Sequence, residues 1–210
     1  MRENGRVDGD AGGSARPGFG ALVRRYALLV DEMTWESIAY TVTVPDSGVL
    51  TVADAIRRLG YEAGAVRAAG EVRPGDLGLR QAGRGVITCS DNPYQDAKDV
   101  TDRLAGEGFR HWYLAGDIEG NTTLYVRYGD REGRLEFPEP GWIPFTPWTE
   151  SLGPLAAYED VFTRLYDTWA DDPEMCIDGT CLAVIERESG VRLDESLWIR
   201  PMEVYLPTSG

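Results

Sequence analysis

Val86–Leu114 reads VITCSDNPYQDAKDVTDRLAGEGFRHWYL, and the order of structural signals within it sets the fold class. Val86 to Cys89 is a short apolar run of β-forming residues. Asn92-Pro93-Tyr94-Gln95 then supplies a helix N-cap, a proline at the first helical position and a glutamine at the third. The helix is predicted to run to about Ala105, with Tyr94, Ala97, Thr101 and Leu104 on one face, and to stop at Gly106-Glu107-Gly108. A second strand, Phe109 to Leu114, follows directly, so the stretch reads as a β-α-β unit.

Upstream, Leu22, Val23, Tyr26, Leu29 and Val30 recur at helical spacing between Phe19 and Met33. Ile38, Tyr40, Val42 and Val44 alternate with Ala39, Thr41 and Thr43, which predicts a strand ending at Pro45 and a turn behind it. Thr51 caps a short helix with Val52, Ala55, Ile56 and Leu59 on one face and Gly60 at its stop. Gly64 to Gly85 is rich in Gly, Ala and Arg without a clear period and reads as loop or weak strand. Downstream, Thr122–Tyr128 and Arg134–Phe137 flank a glycine-containing loop, Gly129 to Gly133, and predict a hairpin. Pro138 to Trp148 holds four prolines, which exclude helix, with Trp142, Phe145 and Trp148 between them. Pro154 opens a helix with Leu155, Tyr158, Phe162, Leu165, Tyr166 and Trp169 on its apolar stripe, ended by Pro173. A last helix, Gly179 to Ser189, turns Leu182 and Ile185 inward and ends at Gly190 before a short C-terminal strand or coil.

These elements give an α+β fold, with a mixed or antiparallel sheet of about five to six strands packed by about four to five helices. Residues 1–18 are rich in Gly, Asp and Arg and poor in large apolar side chains, so they read as a disordered leader to one domain spanning 19–210.

The formal net charge is −14, from 35 acidic and 21 basic residues. Such a field repels phosphate backbones and anionic lipid, which argues against direct nucleic-acid or membrane binding and points to a basic protein as the macromolecular partner. The acids are unevenly spread: Glu150 to Asp178 carries eight acidic residues and one Arg, whereas Thr51 to Arg84 carries six Arg against four acids. Lys98 is the only lysine, which we read as codon usage in a GC-rich genome. No apolar run approaches the roughly 18 residues that span a bilayer, and the N-terminus lacks a signal-peptide core, so a cytoplasmic location is expected. Three cysteines, an odd number, do not make a disulfide framework.

The end of the first strand of the β-α-β unit, Cys89-Ser90-Asp91, stands before a helix N-terminus, a setting that lowers thiol pKa and attracts anions. Cys89 is the most nucleophile-like residue, with Asp91 beside it and His111, the only histidine, as its candidate base. Against this, cysteine is a common buried strand residue, and Ser90-Asp91-Asn92 is already explained as capping. Cys176 and Cys181 with Cys89 and His111 make a four-ligand inventory, but their scatter does not match a zinc site, and neither metal nor cofactor is expected. No phosphate loop, nucleophile elbow or metalloprotease motif is present in the sequence. The acidic run Asp171, Asp172 and Glu174 reads as a solvated helix end or a partner-binding surface. Trp142 and Trp148 pack the core or line a ligand groove.

Cys181-Leu182-Ala183-Val184-Ile185-Glu186-Arg187-Glu188-Ser189-Gly190-Val191-Arg192-Leu193 resembles the closing helix of an actinobacterial family known only as domain of unknown function 6461. Ala55–Gly60 and the hairpin followed by Phe137-Pro138-Glu139-Pro140 resemble its early helix and mid-chain sheet. The resemblance implies an α+β fold and a bacterial source and brings no activity. The sequence therefore predicts a non-enzymatic acidic interaction module, of the immunity or regulatory kind, for a basic protein. The alternative is a small-molecule binding protein or enzyme with its site near Cys89–Asn92 and Trp142–Trp148.

Overall fold

Alternating apolar and polar side chains in Ile38–Pro45 make this strand, β1, two-faced, and the rest of the fold is arranged around it. The structure is a computed structural model that describes residues 18–32, 38–62, 67, 75–90, 97–116, 121–137, 152–168, 176–194 and 202–207. The further strands are β2 (Leu77–Ala82), β3 (Gly85–Ser90), β4 (Phe109–Gly116), β5 (Thr122–Tyr128), β6 (Arg131–Phe137) and β7 (Val204–Leu206). They form one seven-stranded sheet in the order β6-β5-β4-β1-β3-β2-β7, and every neighbouring pair is antiparallel. The fold is α+β, and the described residues hold five α-helices: α1 (Phe19–Glu32), α2 (Val52–Arg58), α3 (Ala97–Leu104), α4 (Glu159–Thr168) and α5 (Ile177–Ser189).

The helices cover both faces of the sheet. Tyr40, Val42 and Val44 of β1 join Ile87, Trp112, Leu114, Leu124, Val126 and Leu135 in a large core beneath α1, α4 and α5. On the other face Leu77, Leu79 and Val86 pack against Ala55, Ile56 and Leu59 of α2 and Val100 and Leu104 of α3. Burying these aliphatic side chains contributes about 1.5–3 kcal/mol each. α2 begins where the sequence placed it: Thr51 and Asp54 form a reciprocal capping box, with the Asp54 N–H donating to Thr51 Oγ1 at 3.1 Å. α1 and α5 approach closely because Gly179 has no side chain; a Cβ there would lie 2.8 Å from the backbone nitrogen of Ala27.

Several expectations need correction. The sheet has seven strands because Leu77–Ala82, within the stretch read as loop or weak strand, is a strand paired on both sides, by β3 and by the short edge strand β7. Its alternation is masked by Gly78, where Met202 occupies the space of a side chain (a Cβ would lie 2.5 Å from Met202 Cγ), and by Arg80 on the same face. The β-α-β unit is split. β3 and β4 both pair with β1, which runs antiparallel between them, so they are parallel to one another without touching. The hairpin is tighter than the five-residue loop expected, since β6 starts at Arg131 and Gly129, with φ of 64°, makes the turn with Asp130. Pro154 opens a 3-10 helix, Gly153–Tyr158, before α4. The Asn92–Gln95 helix start, the Pro138–Trp148 segment and Trp169 lie outside the described residues.

Candidate ligand cleft

α5 is braced along its length, and that bracing fixes where its end lies. Glu186 accepts from Arg25 and from the Tyr26 hydroxyl, and Tyr26 in turn accepts the Leu193 N–H at 3.0 Å just beyond the helix. Glu188 accepts from Tyr158 at 2.5 Å and from Tyr128 at 3.3 Å, and Trp112 Nε1 donates to the Tyr128 hydroxyl at 3.0 Å. Burial, foremost, and these carboxylates raise all three phenols well above the ordinary tyrosine range, so they act as fixed donors. Gly190, with φ of 72°, then takes the left-handed conformation that turns the chain, and its N–H closes on Glu186 O at 2.8 Å.

The turned end of α5 faces the β2–β3 hairpin across a cleft of about 350 Å³. Val44 and Ile87 form part of its wall from the sheet, and Ala82 and Val191 add apolar surface. Arg80, Arg84 and Arg192 line the same concavity, and no acidic side chain is among the described residues that line it. Arg84 donates to Pro45 O at 3.2 Å. The two neutral polar side chains are engaged with backbone: Gln81 donates to Leu50 O, Gly83 O and Gly85 O and accepts the Val52 N–H, while Ser189 donates to Ile185 O and accepts the Val191 N–H. The cleft therefore presents cationic donors beside an apolar wall, an arrangement suited to holding an anion.

The residues singled out in the sequence are not brought together. Tyr40 lies opposite both Cys89 and Leu114, and Thr43 lies opposite His111, so side chains at Tyr40 and Thr43, an odd number of positions apart, face opposite ways. Cys89 thus packs toward the α5 layer, and His111 toward α3, two strands away. His111 is fully buried, with Nδ1 2.8 Å from Thr43 Oγ1 and Nε2 3.1 Å from Thr101 Oγ1, and burial lowers its pKa to about 3. Thr41 and Thr88 pair at 2.7 Å on the same face. The catalytic dyad is therefore corrected: Cys89 has no histidine within reach, and His111 is a neutral residue tying α3 to the sheet.

Cys176 is the N-cap of α5, its Sγ accepting the Gly179 N–H at 3.3 Å, and Cys181 is buried within that helix, so both cysteines belong to the first turns of α5. Among the described residues no group of cysteine, histidine and carboxylate side chains is placed to hold a metal ion. Asp91, Trp142, Trp148, Asp171, Asp172 and Glu174 lie outside the described residues.

Sequence reasoning missed the three arginines. The signal available was the local excess of Arg over acid between Thr51 and Arg84, which contains two of them; Arg192 joins only through the course of α5. Among the described residues no helix is long and apolar enough to cross a membrane. No protein-family model matches the chain, and neither a curated protein nor a solved structure matches it.

Proposed function

We propose that this is a non-enzymatic binding protein whose ligand is a small molecule held in the cleft between the β2–β3 hairpin and the end of α5. The observation that carries this reading is the gathering of Arg80, Arg84 and Arg192 around one concavity in a chain of net charge −14. Arg84 and Arg192 line this concavity at exposed positions, and no acidic side chain is among its described lining residues, so an anion would meet cationic donors there. The volume of about 350 Å³ lies within the roughly 300–1,000 Å³ typical of small-molecule sites. The test is to purify the protein natively, unfold it, and identify released small molecules by mass spectrometry, beside Arg192→Gln treated identically. A stoichiometric small molecule present with the wild type and depleted in the variant supports the reading. Identical profiles, with no cleft-dependent compound, count against it.

A second reading, an acidic module for a basic protein partner of the immunity or regulatory kind, is favoured by the net charge itself. Pull-down at low and high salt tests it: a stoichiometric basic partner lost at high salt supports it, and a salt-insensitive or absent partner does not.

A further inference from the structure

We infer that Tyr26, on α1, is a positioning residue of the cleft: its hydroxyl holds the segment beyond α5 in the course that brings Arg192 to a bound anion. This rests on the reading of the cleft as an anion site and adds what keeps that site in shape. Val191–Asp194 belongs to neither a helix nor a strand, so no backbone ladder fixes its path. Val191 and Leu193 are buried and Arg192 between them is exposed, so a slip of this segment moves both of its cleft-lining residues, Val191 and Arg192, together.

Two side-chain oxygens hold amides of the segment. Ser189 Oγ accepts the Val191 N–H at 3.0 Å, a bond within the turn itself, and Tyr26 Oη accepts the Leu193 N–H at 3.0 Å from α1. The tyrosine is fully buried and held from a second side: its O–H donates to Glu186, and the Arg25 guanidinium, paired with that same carboxylate, lies 4.3 Å from its ring centroid. With its proton committed to Glu186, the hydroxyl keeps lone pairs for the Leu193 amide. Tyr26→Phe retains the ring and strands that buried N–H, which costs most where no other acceptor is near and so favours a shift of the segment. No residue of α1 is among the described lining residues, so Tyr26 acts on a ligand through the segment and not by contact.

Isothermal titration of the full-length protein with two anionic probes, adipate and inorganic phosphate, tests this on wild type, Tyr26→Phe, Arg192→Gln and the double variant. Arg192→Gln should weaken anion binding about tenfold, the worth of one charge-assisted bond. Tyr26→Phe should weaken it about threefold, a part of that same bond, and should cost nothing further once Arg192 is gone. A tyrosine with a merely structural role lowers Tm in both backgrounds and leaves the affinity of the folded protein alone, so the non-additivity separates the two roles. Circular dichroism checks that each variant is folded; if Tyr26→Phe were not, Arg25→Gln, which loosens the same pair from its partly exposed side, carries the cycle. Affinity equal to wild type in Tyr26→Phe, or the same loss with and without Arg192, overturns the positioning role while leaving a cleft ligand in place. Absence of binding by both probes overturns it as well, and released-molecule profiles identical between wild type and Arg192→Gln then overturn the cleft reading with it.

Discussion

The cleft and the histidine cluster lie on opposite faces of the same strands and put polar side chains to opposite uses. On the α3 face, His111, Thr43 and Thr101 satisfy one another, and Thr41 satisfies Thr88; all five are buried. A neutral imidazole has one donor and one acceptor nitrogen, and a threonine hydroxyl fits either, so the set closes on itself. On the α5 face, Arg80, Arg84 and Arg192 line an open volume whose lining carries no acid among the described residues. A polar group that is buried and internally matched holds the fold together, and exposed cationic side chains such as Arg84 and Arg192 on the lining of a concavity can meet a ligand. The single histidine, offered in the sequence as the candidate base for Cys89, is thus the structural one, and the arginines, whose abundance over lysine suggested codon usage, include the binding candidates Arg84 and Arg192.

Removing the closed set should have the largest effect on stability. His111→Ala deletes a fully buried ring and strands Thr43 and Thr101, which costs about 3 kcal/mol and lowers Tm by roughly 10 °C. Calorimetry measures the loss, and titration of the folded variant should find adipate binding in the cleft unchanged. If binding falls with stability, the two faces are coupled and the contrast drawn between them fails.

The same histidine predicts a dependence on pH. Its folded pKa, about 3, lies below the ordinary 6.5, so the native state favours the neutral ring. That contribution is fully present above the ordinary value and is lost as pH falls from 6.5 toward 3, because the unfolded chain then binds the proton more readily. Between pH 8 and pH 5 the loss is about 2 kcal/mol. Denaturant unfolding of wild type and His111→Gln over this range isolates the term, since carboxylate titration is common to both. An equally steep acid-side loss in the variant would show that the proton goes elsewhere.

How much of this was legible in sequence depended on whether the signal was local. The Thr51 cap, the alternation of β1 and the Gly190 stop are encoded within a few residues and were read correctly, while the return bond from Asp54 that completes the capping box was not read. β2 escaped because its pattern is broken by Gly78 and Arg80, and both are explained by partners distant in sequence: Met202 over the glycine, and the end of α5 across from the arginine. Insertion of β1 between β3 and β4 was equally invisible, since nothing in the β-α-β signal states whether its strands touch. The site failed for the same reason. Cys89 and His111 are 22 positions apart and look associable until register assigns them to opposite faces, while Arg80 and Arg192 look unrelated until α5 is packed.

Gly190→Ala probes the join between the braced helix and the cleft. A Cβ there meets nothing within 4 Å, so the cost is backbone strain at φ of 72°, about 1 kcal/mol. The midpoint of denaturant unfolding should fall accordingly. Adipate binding should weaken modestly as the Val191-Arg192 segment shifts, and unchanged binding would show that the cleft does not depend on the left-handed turn.

Arg192→Ala should have the smallest effect on stability and separates the two faces most sharply. The side chain is exposed, beyond the end of α5, so its removal should change stability by no more than about 0.5 kcal/mol. Its electrostatic role is different in kind. Arg192 lines the cleft, and removing it takes away part of the attraction an anion would meet there. Melting temperature should therefore hold in the ligand-free variant, whereas the upward shift that a saturating cleft anion gives the wild type should shrink. A variant that melts lower without ligand and keeps the full ligand-induced shift would mean that Arg192 supports the fold and not the anion, which would leave His111 and Arg192 in the same structural class.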